Sequence, residues 1–181
     1  MAMPASVRSP RRPPAPLDAA ALDRLALRYV ERFATSTGKL TDYLRRKLRE
    51  RGWAEADIAP DPDGVAARMA ALGYVDDRGF AEAKSAALGR RGMGVRRVAD
   101  ALRAAGIGEE DAAAALGDAR DEAVERALTL ARRKRIGPFA DAPADPKLRA
   151  RQLGQLLRAG HDPGLARRLV DARPGEIPSP E

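Results

Sequence analysis

The chain has 181 residues, with 33 Lys and Arg against 26 Asp and Glu, a formal net charge of +7. It has no Cys, so disulfides, thiolate metal sites and a cysteine nucleophile are excluded, and a reducing compartment, the cytoplasm, is the expected location. No apolar run approaches the roughly 18 residues of a membrane-spanning helix, so no membrane partner is expected, while the basic excess suits an anionic or acidic one.

Ala occupies 38 positions, and 28 of the basic residues are Arg against 5 Lys. Val, Ile and Thr number only 8, 4 and 4, a thin supply for a sheet, whereas Ala, Leu, Arg and Glu are strong helix formers. The composition is that of an all-α protein.

The chain begins with residues 1–17, where Arg8, Arg11 and Arg12 have no acidic counterpart and five prolines break any amphipathic pattern. This is expected to be a disordered basic tail and not a signal peptide. Beyond it the sequence repeats. Leu48 to Gly52, Leu102 to Gly106 and Leu156 to Gly160 each close a helix-like run on Gly, and the three glycines stand 54 residues apart both times. Leu44/Leu48, Val98/Leu102 and Leu153/Leu157 are spaced to share a helical face, and Gly suits the left-handed position just past a helix end. The pattern predicts three tandem three-helix repeats, residues 18–75, 76–117 and 118–172. Units of this size bury little alone, so they should stack in series into an elongated, curved helical array.

In the first repeat, Asp61-Pro62 reads as a helix cap followed by Pro in the first turn, and Asp162-Pro163 does the same in the third. Residues 136–146 hold three prolines and are expected to form a mobile loop, and residues 173–181 a frayed C-terminal tail. By segment the charge is +3 in the N-terminal tail, +1, 0 and +4 in the three repeats, and −1 in the C-terminal tail.

Between the first two repeats lies Gly73-Tyr74-Val75-Asp76-Asp77-Arg78-Gly79-Phe80. Gly73 reads as a helix stop and Asp76 as the next cap, with Val75 and Phe80 at the spacing of a hydrophobic staple. A metal or catalytic role for Asp76 and Asp77 is the competing reading, but neither His nor a third acid stands nearby. Arg90-Arg91-Gly92-Met93-Gly94-Val95-Arg96-Arg97 lacks the Lys and hydroxyl of a phosphate-binding loop. Its glycines would let the backbone approach a partner between flanking arginines, either as a phosphate-backbone clamp or as a solvated turn. Arg45 and Arg49 stack one turn apart in a run of basic residues, and Arg132-Arg133-Lys134-Arg135 ends a further helix, where cations favour the dipole. Trp53, Ile107 and His161 each follow a repeat glycine and are expected to be packing residues. With one His and few hydroxyls, no metal site, cofactor site or catalytic triad is expected, and an enzyme is not.

The glycine-stopped Leu-Arg repeats, Gly73-Tyr74-Val75-Asp76-Asp77 followed by Phe80-Ala81, and Gly92-Met93-Gly94-Val95-Arg96-Arg97-Val98 resemble the RecX family, regulators of bacterial RecA-type recombinases. The resemblance covers residues 22–172 and departs from the family at Pro60 to Gly64 and at 136–146. It implies a non-enzymatic monomer that lies in the recombinase filament on single-stranded DNA and restrains filament growth, ATP hydrolysis and strand exchange in DNA repair, recombination and the SOS response. Duplex DNA is a further candidate partner. The contact residues it suggests are Arg90, Arg91, Arg96, Arg97 and Arg103, flanked by Arg45, Arg49 and residues 132–135. Gly52, Gly73, Tyr74, Asp76, Asp77, Phe80, Gly92, Gly94, Gly106 and Gly160 would form the structural motifs. The alternative is a free-standing helix-turn-helix-like DNA-binding module, which would bind bare duplex with a strong salt dependence.

Overall fold

A computed structural model describes residues 15–178, and most of the expected N-terminal tail lies outside them. Among the described residues there are nine α-helices and no strand: α1 Ala19–Val30, α2 Thr37–Arg51, α3 Pro62–Ala71, α4 Asp77–Gly89, α5 Val95–Arg103, α6 Glu109–Asp121, α7 Ala123–Lys134, α8 Pro146–Arg158 and α9 Pro163–Asp171. The all-α expectation is met. The sequence places most of these boundaries directly. Asp61, Asp76 and Asp162 accept hydrogen bonds from first-turn amides of α3, α4 and α9, as N-caps do.

The helices bury their apolar faces in three clusters. Leu22, Leu40, Leu44 and Val65 centre the first, Val98, Leu102 and Ala115 the second, and Leu130, Leu156 and Leu169 the third. The principal helix packings lie inside the triplets α1–α3, α4–α6 and α7–α9, with α6 also touching α7.

The triplets are joined through the ends of their middle helices. α5 closes on Gly106, at φ +67°, with the Gly106 and Ile107 N–H groups donating back to Arg103 and Leu102 carbonyls at 2.9 and 3.1 Å. That closed end abuts the start of α2, where a Cβ on Gly38 would stand 2.6 Å from the Gly106 Cα. The Ser36 hydroxyl, which caps α2, donates to the Ala105 carbonyl. The junction recurs one triplet on. α8 ends on Gly160, at φ +89°, against the start of α5, and no side chain caps α5. Instead the Gly94 N–H donates to the Ala159 carbonyl at 2.9 Å and the Arg96 N–H to the Gly160 carbonyl at 3.2 Å. The unpaired amides at one helix start thus meet the unpaired carbonyls at another helix end, an arrangement the two dipoles also favour.

Gly52 has no such neighbour. Its place is taken by Leu17, whose N–H donates to the Gly52 carbonyl while its own carbonyl accepts from Ala54, both at 2.9 Å. Leu17 is fully buried, so the expected tail stops short of it: pairing with the strand-like backbone around Trp53 holds it in the first core.

Four other expectations are corrected. Residues 136–139 are not mobile loop, because Ile136 is fully buried in the third core and Gly137–Phe139 form a 3₁₀ turn against α7 and α9. The start of the C-terminal tail is held to the same turn through a 2.9 Å bond from the Gly175 N–H to the Pro138 carbonyl. The boundary expected between Gly117 and Asp118 falls inside α6, which runs on to Asp121. A helix tolerates one Gly at a cost of about 1 kcal/mol, and Glu109, Glu110 and Asp111 in the first turn repay part of it through the dipole. Val75 and Phe80 do not form a staple within one core, since Val75 packs in the first cluster and Phe80 against the second.

Gly106→Ala and Gly160→Ala should each destabilise the fold by more than Gly52→Ala. All three lose the left-handed backbone, but only the first two also force apart backbones in contact, and denaturant midpoints of the three variants measure the difference. Asp76→Ala should cost about 0.5–2 kcal/mol, read in the same assay.

Candidate functional site

All eleven candidate contact residues are exposed: Arg45, Arg49, Arg90, Arg91, Arg96, Arg97, Arg103, Arg132, Arg133, Lys134 and Arg135. They do not form one patch, and the fold divides them by what holds each. Arg45 makes a two-pronged pair with Asp63 at 2.8 and 3.0 Å, Arg103 pairs with Asp100 at 2.9 Å and Arg135 with Asp141 at 3.1 Å. Arg132 lies over the Phe139 ring at 4.8 Å. Arg135 takes the left-handed position that ends α7, at φ 51°, the only non-glycine among the described residues to do so. Arg49, Arg90, Arg91, Arg96, Arg97, Arg133 and Lys134 make no ion pair with another described residue.

The middle triplet carries two of these surfaces side by side. Arg96, Ala99 and Arg103 fall on one face of α5, three and seven residues apart. Ala99 and Arg103 line an open trough of about 640 Å³ between α5 and α6, together with Leu102, Ile107, Ala112, Leu116, Glu109 and Arg120. Arg120 and Arg96 also line a smaller hollow of about 230 Å³ against Gly160, His161 and Asp162. The two hollows therefore meet at Arg120, and arginines stand along both. Asp162 keeps its proton affinity below the usual carboxylate range, chiefly through the Leu165 N–H, then the Gly164 N–H and the Arg96 and Arg168 charges. Arg120 has no signal in the sequence repeat. Only the α5–α6 and α6–α7 packings bring it beside Arg96.

The Gly92-Met93-Gly94 turn faces inward. A Cβ on Gly92 would stand 2.6 Å from the Leu130 N and one on Gly94 2.4 Å from the Gly160 O. The close backbone approach that these glycines permit is made to the protein's own third triplet, which corrects the clamp reading of the turn and leaves Arg90 and Arg91 outside it.

Behind the turn lies a buried polar junction. The His161 side chain, 2% exposed, donates from Nε2 to the Gly92 carbonyl at 2.9 Å. Arg126 of α7, 4% exposed, pairs with Glu122 at 3.0 Å and donates to the Ser85 hydroxyl at 3.2 Å, and that hydroxyl donates to the Ala115 carbonyl at 3.1 Å. At the other junction the Asp77 carboxylate accepts from the Thr37 N–H at 2.8 Å, and Lys39 lies 4.9 Å from the Phe80 ring centroid. Asp77 and Phe80 thus bind the first triplet to the second, whereas Asp76 caps its own helix. Tyr74 and Gly73 end α3 at the surface, Gly73 at φ +78°. Among the described residues no cluster of His, Cys, Asp and Glu could hold a metal ion, and no helix is long and apolar enough to cross a membrane.

These features define a class: an all-helical protein of three end-joined triplets with an arginine-lined face and buried polar junctions. No family model matches the chain. It is 32% identical over 178 residues to the regulatory protein RecX of Myxococcus xanthus, covering 92% of both chains, and 36% identical over 169 residues to that of Thermobifida fusca, covering 87% of this chain and 84% of the relative. The crystal structure of RecX from Lactobacillus salivarius has the same fold, with a TM-score of 0.57 at 18% identity over 83% of this chain and 93% of that one. The chain belongs to the RecX family of regulatory proteins.

Burial pushes the His161 pKa below its ordinary 6.5; its bond to the Gly92 carbonyl opposes this and the Arg126 charge adds to it. The unfolded chain then binds a proton that the folded chain resists, so stability is complete above about pH 6.5 and is lost as the pH falls through the depressed value. Denaturant titrations from pH 7.5 to 5 should show this fall, and His161→Gln should flatten it.

Proposed function

We propose that this chain binds the filament of a RecA-type recombinase on single-stranded DNA and restrains its growth, ATP hydrolysis and strand exchange, without catalysing a reaction itself. Family membership supports the regulatory role. The observation that carries the contact surface is the trough of the middle triplet, where Arg103 and Arg120 stand with Glu109 around apolar side chains, together with the adjoining hollow that Arg120 shares with Arg96. Such a surface fits a protein partner with acidic side chains beside apolar ones, and it leaves arginines available for a nearby phosphate backbone. Arg90, Arg91 and Arg97 add positive charge around the start of α5, while Arg49 and residues 132–134 are candidate contacts on other helices.

Units in series contact several protomers of a helical polymer, so weak patches add to a strong attachment. The protein should therefore act below one copy per protomer.

ATP hydrolysis by a RecA-type recombinase on single-stranded DNA, followed as this protein is added, tests the proposal. Suppression at substoichiometric amounts is expected. Arg96→Ala with Arg97→Ala should require about fivefold more protein or greater for the same suppression, the scale of lost charge-assisted contacts, with helicity unchanged. Hydrolysis unaffected by the parent protein, together with salt-sensitive binding to bare duplex, would favour the DNA-binding module instead.

A further inference from the structure

The chain holds three Phe, three Tyr and one Trp, and three of these rings gather on one surface of the first triplet. Tyr29 of α1 stacks on Tyr43 of α2 with centroids 4.2 Å apart and planes 22° apart, and Phe33 leans on Tyr29 at 5.2 Å and 47°. Three cations overlie these rings: Arg46 at 5.5 Å and Lys47 at 5.9 Å from the Tyr43 centroid, and Arg32 at 6.0 Å from that of Phe33.

The first core accounts for Tyr29 and Tyr43, which are half-buried and pack against it. It does not account for Phe33. That ring is 54% exposed just past the end of α1, its backbone fixed by a 3.0 Å bond from its N–H to the Tyr29 carbonyl. A fixed, exposed aromatic beside cations is the arrangement on which an unstacked nucleic-acid base lies flat while its phosphates meet the positive charges. In a duplex the base faces are already covered by their neighbours, so the surface selects a single strand.

We propose that Phe33, framed by Arg32, Arg46 and Lys47, is a stacking platform for a base of single-stranded nucleic acid. The inference rests on the reading above that the chain works on single-stranded DNA, and it assigns the residues that touch the strand. Glu50 holds Lys47 at 2.6 Å and Arg46 at 3.6 Å, so it competes with a phosphate for both cations.

Fluorescence anisotropy of the full chain with labelled oligothymidylate, and with an abasic strand of equal length, tests the platform without recombinase. Phe33→Ala should weaken oligothymidylate binding by about fivefold or more and leave abasic binding unchanged, because only the former has a base to stack. Glu50→Gln should tighten both. Circular dichroism checks that the variants keep their helicity. Unmeasurable binding by the parent chain, a Phe33→Ala variant of unchanged affinity, equal losses on both strands, or no tightening by Glu50→Gln would each overturn the proposal. Recombinase inhibition is read in a separate assay, so failure of the platform and failure of the filament reading give different results.

Discussion

The structure depends on one repeated contact, the meeting of a glycine-closed helix end with the start of another helix. At Gly160 and Gly94 two backbones come together so closely that neither position has room for a Cβ, and the amides of α5 find their acceptors in α8. At Gly106 and Gly38 the same approach is made with the Ser36 hydroxyl completing the bond. Each contact satisfies polar groups that a helix end otherwise leaves to water, and it fixes the order in which the triplets follow one another. A series of small cores becomes one molecule because their middle helices are joined end to end.

That device also explains where charge and polarity accumulate. The residues around these junctions include several polar ones: Ser36, Asp77, Ser85, Arg126 and His161. Buried, such groups require full pairing, and at the second junction Glu122, Ser85 and the Gly92 carbonyl provide it. The His161 ring carries the cost, since its charged form is disfavoured there. The stability of the joint between the second and third triplets is therefore tied to pH, while the first joint has no histidine.

Long basic side chains border the α5–α6 trough, whose apolar residues Leu102, Ile107 and Ala112 belong to the buried second core. The middle triplet is the one held at both ends. The first triplet offers a different surface, in which aromatic rings and not a trough lie beneath the cations.

The sequence by itself determined the helical class, the caps at Asp61, Asp76 and Asp162 and the glycine stops, because each depends on residues within one or two turns. It also made the equal spacing of Gly52, Gly106 and Gly160 visible, and with it the family. What those glycines approach was decided only by the tertiary structure: Gly106 meets Gly38, Gly160 meets Gly94, and Gly52 is met by Leu17, a residue that local composition assigns to the tail. The packing of Ile136, the pairing of Arg45 with Asp63, the stack of Tyr29 on Tyr43 and the place of Arg120 beside Arg96 belong to the same category. The helical spacing of apolar residues marks which face is buried, but which distant residues it meets, in a core or in a charge pair, is fixed only when the helices pack.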